Sequence, residues 1–237
     1  GSSPPWLDAP RPCVIAARLV SGEAVNDTRY IVVEGPIGVG KTTLARLLAE
    51  EWQARTVLEQ VDDNPFLRRF YDEPDKYAFQ AQMFFLLTRF RQQQELAQQE
   101  LFRQSLVADY LFAKDHLFAQ LNLDADELAL YRQLFHMLGA RIPKPDLVVY
   151  LQARPDVLMA RLRKRSRDYE RHVTPEYVRR IAEAYKDFFF HYEDTPLLVV
   201  NSSEIDFVAH SEETADLIRE IREMGQGVQH YIPLGSR

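Results

Sequence analysis

Residues 30–52 read YIVVEGPIGVGKTTLARLLAEEW, in which an apolar, β-branched run precedes a glycine-rich turn and an amphipathic run follows it. The spacing Gly35-x-x-x-x-Gly40-Lys41-Thr42 is the phosphate-binding loop pattern, and it lies between a predicted buried strand and a predicted helix, as that pattern requires. Glycines let backbone N–H groups turn toward a phosphate chain, and the helix N-terminus adds its positive dipole end. The alternative is a tight strand-to-helix turn with an exposed lysine. The stretch therefore predicts that the chain binds a nucleoside triphosphate.

Two side chains of this loop receive predicted roles. Lys41 is expected to neutralise the outer phosphates, and the Thr42 hydroxyl is expected to reach Mg²⁺. Thr43 has the alternative of being an ordinary residue at a helix N-terminus. The positions predicted to contact ATP are Gly35, Pro36, Ile37, Gly38, Val39, Gly40, Lys41, Thr42 and Thr43.

The composition limits the kinds of molecule that the protein is expected to bind. Lys and Arg number 29 against 35 Asp and Glu, and the resulting net charge of −6 has the wrong sign for a general nucleic-acid surface. The single cysteine, Cys13, allows no internal disulfide and fits a reducing cytoplasm. No uncharged apolar run approaches the length of a membrane span, so no membrane partner is expected. A small ligand is therefore predicted.

The length of 237 residues predicts one large domain, or one domain with tails. Residues 1–28 are assigned to an N-terminal tail, which begins with Gly1-Ser2-Ser3, a sequence typical of an expression-tag remnant, and resembles no secretory signal. Residues 29–225 are assigned to the domain and 226–237 to a C-terminal tail. No second domain is predicted.

Strands and helices alternate along the domain. After the strand ahead of the loop, the predicted strands are TVLEQ (56–60), SLVAD (105–109), DLVVYLQ (146–152) and PLLVV (196–200). The predicted later helices cover 75–102, 124–138 and 211–224, and two more begin at Pro155 and at Thr174-Pro175. The pattern predicts an α/β fold with a five-stranded parallel sheet, helices on both faces, and ligands at the carboxyl ends of the strands.

Glu59 lies near the end of the predicted second strand, at the same sheet edge as the phosphate loop. A carboxylate opposite the γ-phosphate can orient an acceptor hydroxyl and take its proton as a general base. The alternative is a solvated glutamate at a strand end. Asp62 and Asp63 follow closely and would repel an acceptor that already carried a phosphate, which favours a neutral acceptor.

Gln82 and Arg89 lie two helical turns apart on the long helix and share a face, with Phe85 close to the same stripe. An amide, a guanidinium and an aromatic ring together can form a pocket for a nucleobase. The alternative is an ordinary helix with Gln82 and Arg89 at the rim of the core, and spacing alone favours it.

The stretch RLRKRSRDYER, residues 161–171, holds six basic residues and predicts a basic flap. Arg165 and Arg167 are expected to close on the triphosphate and to stabilise charge during phosphoryl transfer. A solvated, partly helical charge run is the open alternative.

These motifs together resemble the deoxynucleoside kinase family, and in particular its bacterial branch acting on purine deoxynucleosides. The resemblance runs from about Tyr30 to Phe207 and rests on EGPIGVGKTTLA, EQVDDNPFLRRFY, AFQAQMFFLLTRF, VADYLFAKD, KPDLVVYL and RLRKRSRDYE, in family order. It implies a P-loop kinase fold with a basic lid, ATP as donor, Mg²⁺, a deoxynucleoside as acceptor, a homodimer and a cytoplasmic location.

The resemblance also implies residue roles. Glu59 is expected to act as the base for the 5′-hydroxyl, Gln82 to read the base edge, and Arg89 to support the base pocket. Tyr71 and Glu170 are expected to hold the 3′-hydroxyl, with Arg165 and Arg167 on the phosphates.

Two departures from the family stand out. Many members have Glu-Arg after the third strand, where this chain has Asp109-Tyr110, so Asp109 is taken as the substitute magnesium ligand near the substrate. Ser166 stands in the flap where glycine is usual, which is expected to stiffen the hinge.

Two other functions remain as alternatives. A nucleoside monophosphate kinase would share the fold, but its phosphorylated acceptor conflicts with the acidic residues around Glu59. A nucleotide-driven switch or motor is disfavoured, because the sequence has neither an Asn-Lys-x-Asp motif nor an apolar run ending in Asp-Glu.

Overall fold

A six-stranded parallel sheet forms the centre of the fold. The computed structural model describes residues 29–98, 104–139, 142–209 and 212–233, so the predicted N-terminal tail and residues 99–102 of the predicted long helix lie outside the described residues. The strands are β1 (Tyr30–Glu34), β2 (Arg55–Val57), β3 (Leu106–Ala108), β4 (Leu147–Gln152), β5 (Leu197–Asn201) and β6 (Val228–Tyr231). They pair in the order β2-β3-β1-β4-β5-β6, and every pairing is parallel.

Helices cover both faces of this sheet. They are α1 (Lys41–Glu51), α2 (Leu67–Asp72), α3 (Pro74–Gln98), α4 (Lys114–Asn122), α5 (Ala125–Gly139), α6 (Pro155–Arg165), α7 (Pro175–Phe190) and α8 (Glu212–Glu223), with a short 3₁₀ helix at Asp168–His172. On one face, β4 packs through Val149 against α1, α6 and α8, and on the other through Tyr150 against α7. Because both faces are buried, the central strands are apolar at nearly every position.

The predicted number of five strands is wrong. The sixth strand, β6, lies in the segment assigned to the C-terminal tail and pairs with β5, with Leu197 opposite Val228. It stands at the edge of the sheet and Val228 is exposed, so it lacks the apolar run by which the other strands were predicted. Strand β2 is also shorter than predicted and ends at Val57, which leaves Glu59 two residues beyond it.

The predicted helix starts at Pro155 and at Thr174-Pro175 are confirmed. The Thr174 side chain accepts a hydrogen bond from the Tyr177 backbone N–H at 3.2 Å, as expected of an N-cap. Helices α2 and α4 were not predicted. In the part of the chain that the structure describes, no helix is both long enough and apolar enough to cross a membrane.

The strand order decides which chain segments meet. Strands β2, β3 and β1 are neighbours, so their carboxyl ends lie side by side at one edge of the sheet. Glu34 ends β1, Asp109 follows β3, and Glu59 follows β2. Carboxylates that are 25 to 75 residues apart in sequence are thereby brought together beside the phosphate loop.

Candidate active site

The loop between β1 and α1 has the backbone that its glycines predict. Gly35 has a φ of 152°, and a Cβ there would lie 2.2 Å from the carbonyl oxygen of Leu151. Gly40 has a φ of 107°, and its Cβ would lie 2.8 Å from the ring of Phe207. Both positions therefore combine a conformation that favours glycine with a close approach that a side chain would block.

Replacing Gly40 by alanine is expected to destabilise the protein by about 1–3 kcal/mol, because alanine must adopt a strained φ beside Phe207. ATP affinity should fall as well, since the loop has to shift. Gly139→Ala is the matched control, because a Cβ there meets Phe112 at an ordinary 3.8 Å. Thermal melting and ATP titration of both variants check this, and equal melting temperatures for the two would contradict it.

Lys41 lies at the start of α1 with its side chain turned back onto the loop. Its Nζ donates to the carbonyl oxygen of Gly35 at 2.8 Å and to that of Pro36 at 3.3 Å. Burial, with a smaller contribution from the nearby Lys114, lowers the pKa of Lys41 to about 8, although three carboxylates oppose the shift. The ammonium group is thus held at the loop by two backbone carbonyl oxygens, and burial keeps water from stabilising its charge.

A cavity of about 290 Å³ opens at the carboxyl edge of the sheet, next to this loop. Of the residues predicted to bind ATP, Ile37, Gly38, Lys41 and Thr42 line it. It is also lined by all of the residues predicted to bind substrate, namely Glu59, Tyr71, Gln82, Phe85, Arg89, Asp109 and Glu170, and by Arg165 and Arg167 of the flap.

A larger cavity, of about 750 Å³, lies at the opposite edge of the sheet. Arg29 and Ser105, which line it, precede β1 and β3, so it lies at the amino ends of the strands. Ligands of open parallel sheets bind at the carboxyl ends. The smaller cavity, where the phosphate loop and the carboxylates meet, is therefore the candidate active site.

Glu59 is held between two cations in this cavity. Its Oε1 accepts two hydrogen bonds from the Arg89 guanidinium, one of them from Nε at 2.9 Å, and its Oε2 accepts from Lys114 Nζ at 3.2 Å. Burial alone would raise the pKa of Glu59, but Arg89, Lys114 and Lys41 together hold it well below its usual range. The carboxylate is therefore ionised, and its direction is fixed by its partners.

Asp109 joins the phosphate loop to the segment that carries Glu59. Its Oδ2 accepts a hydrogen bond from the Thr42 hydroxyl at 2.5 Å, and its Oδ1 accepts from the Glu59 backbone N–H at 2.7 Å. Hydroxyl and carboxylate oxygens are hard ligands of the kind that Mg²⁺ prefers, so this pair fits the metal. Within the described residues, no group of three His, Cys, Asp or Glu side chains could hold a metal ion, so a magnesium ion here would also need phosphate oxygens.

Gln82 and Arg89 are both buried, at 5% and 4% exposure, and do not lie at an outer rim of the core. The Gln82 amide donates to the backbone carbonyl oxygen of Asp115 at 2.9 Å. Arg89 also forms an ion pair with the Asp115 carboxylate, which accepts a hydrogen bond from the Tyr131 hydroxyl at 2.6 Å. Phe85 lies under the Arg89 guanidinium, 4.8 Å from it to the ring centroid. These contacts fix the directions of Gln82 and Arg89, which both line the cavity.

The flap residues pair with carboxylates. Arg165 donates to both oxygens of Glu170, which is itself buried, and Arg167 lies 3.6 Å from Asp62. Ser166 sits between the two arginines with a φ of 53°, a left-handed conformation that glycine adopts more readily. Its hydroxyl donates to the carbonyl oxygen of Arg163 at 2.7 Å, which ties the hinge to the end of α6.

Several residues of the site were missed by sequence reasoning. Glu34 is fully buried and accepts hydrogen bonds from the backbone N–H groups of Gly35 and Leu111 and from the Tyr185 hydroxyl. Arg161, counted with the flap, instead donates to the carbonyl oxygen of Val39 in the phosphate loop at 3.2 Å.

Lys114 and Asp115 were missed as well, and they are 2% and 0% exposed. One signal could have indicated them, because a Lys-Asp pair follows the apolar and aromatic run after β3. Charged residues in such a context are buried only when they have partners.

Comparison with known proteins gives consistent results. The deoxynucleoside kinase family model matches residues 31–225. The deoxyguanosine kinase of Bacillus subtilis is 31% identical over 205 residues, which cover 84% of this chain and 99% of that protein. The deoxyguanosine kinase of Lactobacillus johnsonii is 34% identical over 221 residues, covering 86% and 97%. A solved structure of deoxyadenosine kinase from M. mycoides with bound dATP covers 82% of this chain and 98% of its own, with a TM-score of 0.71 and 22% identity, and shares the fold.

Proposed function

The chain belongs to the deoxynucleoside kinase family, and we propose that it transfers the γ-phosphate of ATP to the 5′-hydroxyl of a purine deoxynucleoside. The products are the deoxynucleoside 5′-monophosphate and ADP. The observation that carries the proposal is the ionised Glu59, held by Arg89 and Lys114 in the same cavity as Lys41 of the phosphate loop. A carboxylate and a phosphate-binding lysine facing one cavity are what transfer to an alcohol requires.

The strongly lowered pKa of Glu59 bears on its role. Such a carboxylate is a weak base, but the transition state of phosphoryl transfer is loose, so the hydroxyl gains acidity only as its bond to phosphorus forms. Glu59 first orients the 5′-hydroxyl as a hydrogen-bond acceptor and takes its proton late in the transfer. Two of the cations that lower the pKa, Arg89 and Lys114, also fix the carboxylate's direction, which serves the orienting role.

Mg²⁺ fits the site as well. Thr42 and Asp109 would hold it, and when bound it would neutralise charge on the β- and γ-phosphates. Asp109 in addition fixes the Glu59 backbone, so the position of the base depends on the same carboxylate.

The base pocket is assigned to the part of the cavity that Gln82, Phe85 and Arg89 line. The amide of Gln82 and the ring of Phe85 provide polar groups and an apolar surface for a nucleobase, and Asp115 behind them holds Gln82 and Arg89 in place. The names of the two bacterial relatives, both deoxyguanosine kinases, support a purine.

A panel of deoxynucleosides and ribonucleosides with ATP and Mg²⁺ tests the function. We expect the highest kcat/KM with deoxyguanosine or deoxyadenosine, and lower values with pyrimidine deoxynucleosides. Deoxynucleoside monophosphates serve as competing acceptors, because turnover of these in preference to nucleosides would indicate a monophosphate kinase. Hydrolysis of ATP at full rate without any acceptor would indicate a switch or motor.

A homodimer is proposed from the family and from exposed apolar side chains on two adjoining helices. Leu87 of α3 is 44% exposed, and Leu130 and Met137 of α5 are 49% and 65% exposed. Exposed apolar side chains on two helices that pack together fit burial against a second copy of the chain. Analytical ultracentrifugation tests this, and a monomer at micromolar concentration would contradict it.

A cytoplasmic location stays a prediction, supported by the single cysteine.

Glu170 and Tyr71 are proposed to hold the 3′-hydroxyl, because both line the cavity near the flap. Loss of one buried hydrogen bond costs about 1–3 kcal/mol, so a 3′-deoxy substrate should lose roughly 10- to 100-fold in kcat/KM. Glu170→Ala should impose a similar loss on the normal substrate. It should add little to the loss with the 3′-deoxy substrate, because the hydroxyl is already missing.

Kinetics of both proteins with both substrates form a cycle that checks this prediction. Because Glu170 also binds Arg165, occupancy by the sugar is expected to influence the position of the flap arginine. If the losses caused by Glu170→Ala and by the 3′-deoxy substrate simply add, Glu170 acts on the flap alone and does not bind the 3′-hydroxyl.

A further inference from the structure

Lys114, the first residue of α4, is a buried lysine between two carboxylates. Its Nζ lies 3.2 Å from Glu59 Oε2 and 3.6 Å from Glu34 Oε2, and its side chain is only 3% exposed. Neither the phosphate-loop pattern nor the roles implied by the family resemblance involve this residue. Lysine is seldom buried without a reason, because removing an ammonium group from water is costly.

Each oxygen of Glu59 has a different partner. Oε1 accepts from the forked Arg89 guanidinium, whereas Lys114 is the partner of Oε2 among the described residues. A carboxylate oxygen has two lone pairs, so Oε2 keeps one acceptor position after binding Lys114. Oε2 is therefore the oxygen best able to accept the proton of the substrate hydroxyl, and Lys114 determines where that oxygen lies.

Lys114 also lies close to the phosphate-binding lysine. Both line the same cavity, together with Glu59, so two positive charges border the space beside the phosphate loop.

We propose that Lys114 is a positioning residue of the phosphoryl transfer, which holds Glu59 Oε2 toward the 5′-hydroxyl and supplies a second positive charge at the reacting oxygen. The inference rests on the proposed function. In the step itself, the 5′-oxygen forms a bond to the γ-phosphorus, the bond from that phosphorus to the ADP oxygen breaks, and the hydroxyl proton passes to Glu59. Lys114 takes no part in the proton transfer, and its hydrogen bond holds Glu59 Oε2 in place before the step.

If Lys114 only stabilised the fold, the expected results would be different. Lys114 also faces Glu34, which is fully buried and binds the backbone of the phosphate loop, so its loss leaves a less compensated charge in the core. In that case Lys114→Met would lower the melting temperature, and any loss of activity would be independent of Glu59.

The test is a double-mutant cycle of Lys114→Met with Glu59→Gln, measured by kcat and KM alongside thermal melting. Hydrogen bonds to charged groups support an expected loss of about 10- to 100-fold in kcat for Lys114→Met, with a smaller change in the KM for ATP. In the Glu59→Gln background the further loss should be less than about threefold, because Lys114 acts through Glu59. Lys114→Arg should restore most of the turnover.

Lys144→Met is the matched control, because Lys144 also pairs with a carboxylate, Asp194 at 3.0 Å, but is exposed. It should have wild-type kinetics. If Lys114→Met does not fold, Lys114→Gln replaces it, with the same expected loss in kcat. Wild-type kcat in the Lys114 variant, or losses that add in the cycle, would overturn the proposal. A wild-type protein that phosphorylates no deoxynucleoside would instead overturn the proposed function on which it rests.

Discussion

Replacing Lys41 by alanine is expected to lower kcat/KM for the deoxynucleoside by about 10³-fold while the fold is retained. Its ammonium group is bound to the carbonyl oxygens of Gly35 and Pro36, within the loop that would surround the phosphates. A preorganised charge at the transferring group accounts for losses of this size when it is removed. Burial lowers the pKa of Lys41 to about 8, so removal also relieves an electrostatic cost and should leave stability nearly unchanged.

Steady-state kinetics and thermal melting of the same preparation check this prediction. Lys144→Ala provides a comparison, because it removes an exposed lysine that pairs with Asp194. The assignment of Lys41 would fail if activity and melting temperature collapsed together, since the lysine would then be part of the core.

The central part of the fold could be predicted because its signals are local. Strand β1 is an apolar run in which Ile31 and Val33 face one side of the sheet and Val32 the other, and all three are buried. A strand buried on both faces followed by Gly35 and Lys41 has few alternatives. The start of α7 was predicted for the same reason, because Thr174 provides its own cap.

Strand β6 could not be predicted, because its stability depends on a partner. Its residues Val228 to Tyr231 are exposed or half-buried, and they extend a sheet edge that β5 already offers. Helix α4 was missed for a related reason. It begins with Lys114 and Asp115, whose burial depends on carboxylates and a guanidinium from other segments.

In the candidate active site, too, some features could be predicted from the sequence and others could not. Roles for Glu59, Gln82 and Arg89 were predicted from spacing and resemblance, but spacing alone placed Gln82 and Arg89 at the rim of the core. The structure buries both, because Asp115 from α4 binds the Gln82 amide and the Arg89 guanidinium. Which carboxylates pair with which arginine and lysine side chains depends on the strand order β2-β3-β1, and no local pattern encodes that order.

Replacing Glu59 by glutamine is expected to lower kcat by about 10²- to 10⁴-fold, with a much smaller change in either KM. The amide keeps the size of the side chain and can still accept a hydrogen bond from Arg89. It cannot take a proton, and its NH₂ group would face the Lys114 ammonium, which also donates. The binding of ATP should be largely retained, because the contacts of Lys41 with the loop do not involve Glu59.

The kcat of this variant distinguishes a base from a structural partner of Arg89. A structural partner would be replaced adequately by an amide that still accepts from Arg89, so turnover would stay near the wild-type value and only melting would change. Glu73→Gln, which alters an exposed glutamate paired with Lys76 at 3.5 Å, controls for the loss of one negative charge. Because Arg89 and Lys114 keep Glu59 ionised, the wild-type carboxylate is ready to orient a hydroxyl at any neutral pH. A wild-type turnover number in Glu59→Gln would therefore mean that the hydroxyl proton leaves by another route, and Glu59 would no longer be the base.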